Sequence, residues 1–432
     1  MQYTITAPKR IGRDTPIINL PASKSISNRL IIIRALAGVA KKDLLDEWDF
    51  CDDVEVLSKA LKAPRNKQVI DIGAAGTAMR FLTAYLSITP GTRILTGSER
   101  MRQRPIGTLV DALRKLGAQI EYVEKEGFPP LRITGGELTG NEVKLTGNIS
   151  SQYISALLMI APKLRQGLKI HLTGNVLSRP YIEMTVKLMR DFNAQVGWDD
   201  DRTITVAPGA YKNIIDYPVE GDWSSASYWY EVVSLIRFEE IILGIQGLHY
   251  NPSEGESLQG DSRLVDIFKY LGVHTVRDYH PSVNGFETIR LIKDEDYLLP
   301  LFLNEDMSDI PDLVQTLAVT CCLKNVPFRF SGVQSLRIKE TDRIEALITE
   351  LRKLGFVLYI RPDNALIWEG ERCKAQRHPV IETYKDHRMA MAFAPACLKF
   401  PSVVIEDPMV VTKSYSHFWD CLLHAGFEIK EL

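Results

Sequence analysis

Four short stretches of this 432-residue chain put cations where ordinary folding rules would not. LPASKSISNR sets Lys24 and Arg29, with hydroxyls at Ser23, Ser25 and Ser27, at the mouth of the apolar run Leu30–Ile33. ERMRQRPIG carries Arg100, Arg102 and Arg104, with Arg93 just upstream. RIKETDR carries Lys339, Glu340 and Arg343, and KDHRMAMAF carries His387 and Arg388. A helix N-terminus has orphan N–H groups and a partial positive charge. Ser, Asp and Asn belong there as caps; Lys and Arg do not. Asp222 and Asp309 are explained as caps alone, and each basic stretch taken singly is explained as a solvated face. The recurrence of cations at several helix entrances points instead to a bound anion. Arginine grips a carboxylate or phosphate with two donors, and lysine supplies a point charge. Asp312 and Glu340, set among these cations, are the candidates for proton transfer. Lys339 and Arg343, four apart, are expected to share a helix face, and Glu340 to pair with Arg343 three residues on.

The rest of the sequence narrows the chemistry. There is no Walker loop and no G-x-G-x-x-G opening a helix, and Gly76 in GAAGTAM is too little for a nucleotide loop. No C-x-x-C or H-E-x-x-H motif occurs, so neither a metal nor a cofactor is expected. Lys plus Arg number 52 against 54 Asp plus Glu. A protein that coats nucleic acid is usually basic, so the anion site is local and no nucleic-acid partner is expected. No apolar run approaches the roughly 18 residues of a membrane span, and MQYTITAPKRIG has no signal-peptide core. A cytoplasmic location is expected. The six cysteines read as reduced and mostly buried.

The elements that must position these residues repeat. At this length two domains are the default. Six apolar helices open with small or polar clusters: PASKSISNRLIIIRALA, GAAGTAMRFLTAYL, NISSQYISALLMIA, GDWSSASYWYEVVSL, SDIPDLVQTLAVTCCL and KDHRMAMAFAPACL. Amphipathic helices alternate with them: TLVDALRKLGA from Thr108, MTVKLMRDFNA from Met184, RLVDIFKYLG from Arg263 and RIEALITELRKLG from Arg343. Hairpin-like stretches follow, as in AQIEYVEKEGFPPLRITGG and FVLYIRPDNALIWEGE. The predicted unit is strand, apolar helix, strand, amphipathic helix, two strands, six times over. Helices apolar on all sides belong in the middle of a domain, with their polar entrances at its surface.

Ten segments now carry a resemblance: LPASKSISNR, GAAGTAMR, ERMRQRPIG, SSQYISALL, SRPYIEMT, DWSSASY, LQGDSRL, IPD, RIKETDR and YKDHRMAMAF, in this order. The chain resembles the EPSP synthases (3-phosphoshikimate 1-carboxyvinyltransferases) of the enolpyruvyl-transferase family. The resemblance implies an α/β fold of two domains, each of three βαβαββ units around buried parallel helices, an inside-out α/β barrel. It implies an N-terminal-half domain over 21–220 and a C-terminal-half domain over 1–20 and 221–432, with the active site in the interdomain cleft. It implies transfer of the enolpyruvyl group of phosphoenolpyruvate to the 5-hydroxyl of shikimate 3-phosphate, in the shikimate pathway to chorismate and aromatic amino acids, by a monomer without a metal. The family's phosphoshikimate contacts fall on Lys24, Ser25, Arg29, Ser150, Ser151, Gln152, Ser178, Tyr181, Asp312 and Lys339. Its phosphoenolpyruvate contacts fall on Lys24, Gly76, Arg104, Gln152, Arg343, Arg388 and Lys413. Its catalytic groups fall on Asp312, Glu340 and Lys24. The chain departs from the common pattern at Ala74, Phe81, Ser335 and Leu336, where many members carry Asn, Pro, Asn and Trp.

Three other readings compete with this one. The sister enzymes that transfer enolpyruvyl to UDP-N-acetylglucosamine commonly carry Cys or Asp in the loop before Arg-Pro, and SERMRQRP has neither. RNA 3′-phosphate cyclases share the βαβαββ unit but need a nucleotide site with a reactive His. A non-catalytic relative would be expected to lose Lys24, Arg104, Glu340 or Lys413, and all are present.

Overall fold

The computed structural model describes residues 1–8, 16–44, 51–64, 68–148, 150–236, 242–250, 257–283, 286–294 and 297–432. Contacts divide the chain into two compact units. One comprises Met1–Ser23 with Glu220–Leu432, and the other Lys24–Val219.

A single four-strand arrangement recurs in five sheets: two parallel strands, then an antiparallel pair. In the unit Lys24–Val219, the strand Val69–Asp71 runs parallel to Gly91–Thr96, and the helix Gly76–Ser87 makes the crossover. Leu131–Gly135 then pairs antiparallel with Gly91–Thr96 and with Gln119–Tyr122, after the helix Gly107–Lys115. Strands Glu142–Thr146, Leu168–Thr173, Thr203–Val206 and Val196–Asp200 repeat this around the helices Ser151–Ile160 and Arg179–Asp191. The remaining helix pair, Lys24–Ala37 and Asp52–Lys62, has no strand of its own among the described residues.

The other unit shows the arrangement three times, and the N-terminal segment contributes to two of them. Ile17–Asn19 lies parallel to Ile242–Leu248, in the place of the strand ahead of the helix Trp223–Leu235. Gln2–Thr6 inserts between Val403–Glu406 and Glu428–Glu431, antiparallel to both. The chain thus begins by finishing the last repeat of this unit and opening its first. The third sheet is continuous in sequence, with Leu303–Asp306, Phe328–Ser331, Leu366–Trp368 and Tyr359–Ile360 around the helices Val314–Lys324 and Arg343–Lys353.

The apolar helices are buried as their composition requires. Every residue of Trp223–Leu235 and of His387–Phe393 is buried, as is every residue but Gln152 of Ser151–Ile160. Proline trims two of the expected helices. Pro311 starts a 3-10 turn, Pro311–Leu313, ahead of Val314–Lys324, and Ala394–Leu398, with Pro395, is 3-10 rather than α. The helix expected from Met184 begins at Arg179, with Pro180 in its first turn. The one expected from Arg263 is a 3-10 turn, Gly260–Arg263, followed by Leu264–Lys269. In the NISSQ stretch Ile149 lies outside the described residues, and the helix starts at Ser151 with Ser150 as its cap.

Two amphipathic helices, Asp52–Lys62 and Phe418–His424, were not expected from sequence. The first ends before Ala63-Pro64 rather than at Leu-Gly, and the second, though Gly426 follows it, is only two turns long, too short for its periodicity to stand out. Among the described residues no helix is long and apolar enough to cross a membrane.

Candidate active site

In the unit completed by the N-terminal segment, Arg343 gathers three carboxylates. Its Nε donates to Asp386 Oδ2 at 2.7 Å and its Nη2 to Asp386 Oδ1 at 3.3 Å. Nη1 donates to Asp312 Oδ1 at 3.0 Å, and Nη2 also reaches Glu340 Oε2 at 3.1 Å. Arg343 is the first residue of its helix, whose cap Asp342 accepts from the amides of Ile344 and Glu345. Burial alone weakens the hold of Arg343 on its proton. The carboxylates of Asp386, Glu340 and Asp312 more than reverse that, so the guanidinium is held above its usual range.

Around this hub the other predicted residues of the unit assemble. Arg388 Nη2 lies 3.0 Å from Asp312 Oδ2, and its Nη1 donates to the Asp312 carbonyl at 3.0 Å. Lys413 Nζ donates to Glu340 Oε1 at 2.9 Å, and Lys339 Nζ lies 3.6 Å from Asp312 Oδ1. Asp312 sits in the 3-10 turn that Pro311 opens, and Arg388 in the first turn of His387–Phe393, capped by Asp386. Glu340 does pair with Arg343. Lys339 and Arg343 do not share a helix face, because Lys339 precedes the helix at the end of the 3-10 turn Gln334–Ile338. They converge through Asp312 instead.

In the unit Lys24–Val219 the centre is Arg29, one turn into the helix Lys24–Ala37 and almost fully buried. Its Nε donates to Thr185 Oγ1 at 2.7 Å. Nη2 donates to Ser155 Oγ and to the Tyr181 carbonyl, both at 3.2 Å, and Nη1 to the Ser25 carbonyl at 2.8 Å. The Phe81 and Tyr181 rings lie under it at 5.5 and 6.0 Å. Among the described residues no carboxylate pairs with it, and burial lowers its pKa to about 10. A buried cation held by hydroxyls and carbonyls alone is short of negative charge. Lys24 Nζ, by contrast, lies 3.4 Å from Asp53 Oδ2.

Gly76 and Arg104 meet in the same unit. A Cβ on Gly76 would stand 2.7 Å from Arg104 Nη1, so the guanidinium occupies the space a side chain would need. Gln152 reaches the adjacent helix entrance, donating from Nε2 to Thr77 Oγ1 at 3.0 Å. Ser150 caps Ser151–Ile160 by accepting from the Gln152 amide. Ser178 precedes Arg179–Asp191 in a left-handed conformation, φ 54°, and its carbonyl accepts from the Tyr181 amide.

Several partners were not legible as site residues. Asp386 stood in a quoted motif, but only its capping place before His387 was readable. Its bidentate hold on Arg343 spans 43 positions. Arg80 Nη1 donates to the Gly76 carbonyl at 3.1 Å and Nη2 to the Pro105 carbonyl at 3.3 Å, tying the two ends of the Gly76–Arg104 contact. Tyr153 donates to the same Pro105 carbonyl at 2.6 Å. Asp261, from LQGDSRL, is buried and accepts from the Ser224 hydroxyl. Burial first, then the neighbouring Asp312, pushes its pKa up to about 7. Apart from the Arg80–Gly76 bond, these contacts reach 25 to 48 positions along the chain, which hid them, and an arginine inside an apolar helix, Arg80, is their one sequence signal.

The Arg29 and Arg343 clusters both suit an anionic ligand, and the Arg343 cluster sets the carboxylates Asp312 and Glu340 among its cations. The family model for EPSP synthase (3-phosphoshikimate 1-carboxyvinyltransferase) matches residues 12–422. The chain belongs to this family. A 3-phosphoshikimate 1-carboxyvinyltransferase of Bacteroides fragilis strain YCH46 is 54% identical over 430 residues, covering 100% of this chain and 99% of that one. One of Colwellia psychrerythraea is 36% identical, covering 95% and 97%. Among solved structures, EPSP synthase from Acinetobacter baumannii superposes with a TM-score of 0.72 at 20% identity over the whole of both chains. The enolpyruvyl transferase NikO from Streptomyces tendae gives 0.66 at 14% identity, covering 99% and 98%. These structural likenesses establish the fold: a two-domain α/β enolpyruvyl-transferase architecture.

Proposed function

We infer that this chain transfers the enolpyruvyl group of phosphoenolpyruvate to the 5-hydroxyl of shikimate 3-phosphate, releasing phosphate, as a step of the shikimate pathway. Family membership along residues 12–422, with a relative of that name at 54% identity, carries the reading. In the reaction the 5-hydroxyl adds to C2 of phosphoenolpyruvate as C3 takes a proton. The tetrahedral adduct then loses phosphate and a C3 proton, restoring the double bond.

The residue roles are proposed on the family pattern and supported by the geometry. Arg29, with Ser25, Ser150, Ser151, Gln152, Ser178 and Tyr181 in one unit and Asp312 and Lys339 in the other, takes shikimate 3-phosphate. The uncompensated charge of Arg29 favours an anionic ligand. Phosphoenolpyruvate carries about three negative charges. Lys24, Gly76, Arg104, Gln152, Arg343, Arg388 and Lys413 take it, the guanidiniums by charge-assisted hydrogen bonds and the lysines as point charges. Asp312 and Glu340, each hydrogen-bonded to Arg343, handle the protons, and Lys24 shares that role on the family pattern. Preorganised cations also stabilise charge that develops on the adduct. We further place the reaction in the cytoplasm, on a monomer that binds no nucleic acid. The near-balanced charge and six cysteines that form no disulfide among the described residues support this.

Phosphate release from purified protein tests the acceptor. It should need phosphoenolpyruvate and shikimate 3-phosphate together. Release with UDP-N-acetylglucosamine in place of shikimate 3-phosphate would overturn the assignment.

A further inference from the structure

We propose that Glu350, which lies outside both substrate-binding sets, is a positioning residue for this reaction. Through the Tyr384 hydroxyl and the Glu382 amide it holds the turn that aims Asp386 at Arg343. The inference rests on the reading of Arg343 and Arg388 as phosphoenolpyruvate ligands.

Glu350 is fully buried and stands two turns after Arg343 on the same helix. Its Oε1 accepts from Tyr384 Oη at 2.8 Å and its Oε2 from the Glu382 amide at 3.2 Å. Lys353 Nζ, 2.7 Å from Oε2, also donates to the Val380 carbonyl at 2.8 Å, so a second group of this helix holds the segment that leads into the turn. Beyond Thr383 the chain reverses, and the Asp386 amide donates to the Thr383 carbonyl at 2.8 Å. The two residues inside the turn, Tyr384 and Lys385, have φ of 52° and 56°. Both lie in the left-handed region that a turn of this sign normally fills with Gly, Asn or Asp. An aromatic and a long aliphatic side chain persist there only where surrounding contacts over-determine the backbone. The Glu350 carboxyl supplies those contacts from both of its oxygens.

The turn delivers Asp386, which is fully buried. Its carboxylate grips Arg343 with both oxygens and accepts from the Arg388 amide at 2.9 Å. One rigid helix therefore carries both Arg343 and the group that fixes the partner of Arg343. Relaxing the turn withdraws Asp386, leaves Arg343 to Asp312 and Glu340, and uncaps the helix that bears Arg388. The loss falls on the two guanidiniums assigned to phosphoenolpyruvate, while the Arg29 set lies in the other unit.

The test uses the full chain with Tyr384→Phe, Glu350→Ala and Glu350→Gln, each assayed with one substrate varied and the other saturating. Tyr384→Phe and Glu350→Ala should raise the KM for phosphoenolpyruvate about 5- to 10-fold, one to two lost hydrogen bonds, with the KM for shikimate 3-phosphate held within about two-fold. Glu350→Gln keeps an acceptor for Tyr384 and should recover most of the loss. A merely structural role would lower the melting temperature and the active fraction but leave both KM values of the folded enzyme unchanged. Should Glu350→Ala fail to fold, Tyr384→Phe, which removes one hydroxyl, decides alone. An unchanged phosphoenolpyruvate KM in an active Tyr384→Phe enzyme, or an equal rise in both KM values, would overturn the inference and leave the functional reading standing. A wild-type protein without turnover would overturn that reading, and the inference with it.

Discussion

At the scale of single residues, Glu340 and Arg29 show two ways of building charge into a site. Glu340 accepts from Lys413 with one oxygen and from Arg343 with the other, so Glu340→Gln keeps the shape but removes the charge, the proton affinity and one of the two acceptors. Turnover should fall by about 10²- to 10⁴-fold while both substrates still bind within a few-fold, as read by single-turnover rates against equilibrium titration. A variant with normal turnover would remove Glu340 from the proton path. Arg29 is tied to no carboxylate among the described residues. It was legible in the sequence because a cation at a helix entrance contradicts the helix dipole. The hydroxyls that hold it, Thr185 and Ser155, were not legible, since a serine or threonine in a helix carries no mark of a partner more than a hundred positions away. Asp386 was half legible: its capping role follows from its place before a helix, its grip on Arg343 only from the fold.

At the scale of elements, the six apolar helices and the hairpins that follow them could be read from periodicity. What blurred was their ends, where Pro311, Pro395 and Pro180 decided between α and 3-10 geometry or moved a start by a turn. The entrance of Gly76–Ser87 carries a prediction of its own. Gly76→Ala would place a methyl group 2.7 Å from Arg104 Nη1. The guanidinium, the far end of a flexible side chain, must move, which costs the fold little but displaces Arg104. The KM for phosphoenolpyruvate should rise and that for shikimate 3-phosphate change little, with the fold intact by circular dichroism. An unchanged phosphoenolpyruvate KM would separate Arg104 from that substrate.

The core of the Trp223–Leu235 helix holds a second consequence. Glu231 is fully buried, and among the described residues neither of its carboxyl oxygens is hydrogen-bonded. Cys321 and Cys397 near it are thiols that burial also keeps protonated, and the Thr320 hydroxyl is committed to the Thr316 carbonyl at 2.7 Å. Burial pushes the Glu231 pKa well above the carboxylate range. The folded chain then keeps a proton that the unfolded chain releases, so stability falls as pH rises above the ordinary carboxylate pKa. Glu231→Met should stabilise the protein at neutral pH by on the order of 1–3 kcal/mol and flatten that slope. Urea midpoints at about pH 5 and about pH 8 read both effects. A variant less stable than wild type, with the slope retained, would mean that Glu231 is ionised and paired.

At the scale of the whole molecule, the two-domain length and the repeated unit were visible in sequence, but the part played by the first residues followed only from the resemblance. Gln2–Thr6 is a short strand whose sequence says nothing about its neighbours. It nonetheless pairs on both sides in the last sheet of its unit and buries Ile5. Removing residues 1–6 should therefore unfold part of the unit Glu220–Leu432 rather than fray an end, with Val403–Glu406 and Glu428–Glu431 losing amide protection together in hydrogen exchange. Protection that survives the deletion would show the sheet closing without its inserted strand.

The central claim concerns the reaction, and the most direct measurement follows the atoms. Phosphorus and proton NMR of a mixture of protein, phosphoenolpyruvate and shikimate 3-phosphate should show one inorganic phosphate released for each acceptor consumed. The product should retain the 3-phosphate and carry a new vinyl ether at the 5-position. Phosphate appearing without the vinyl ether, or an acceptor left untouched in the presence of folded protein, would contradict the account.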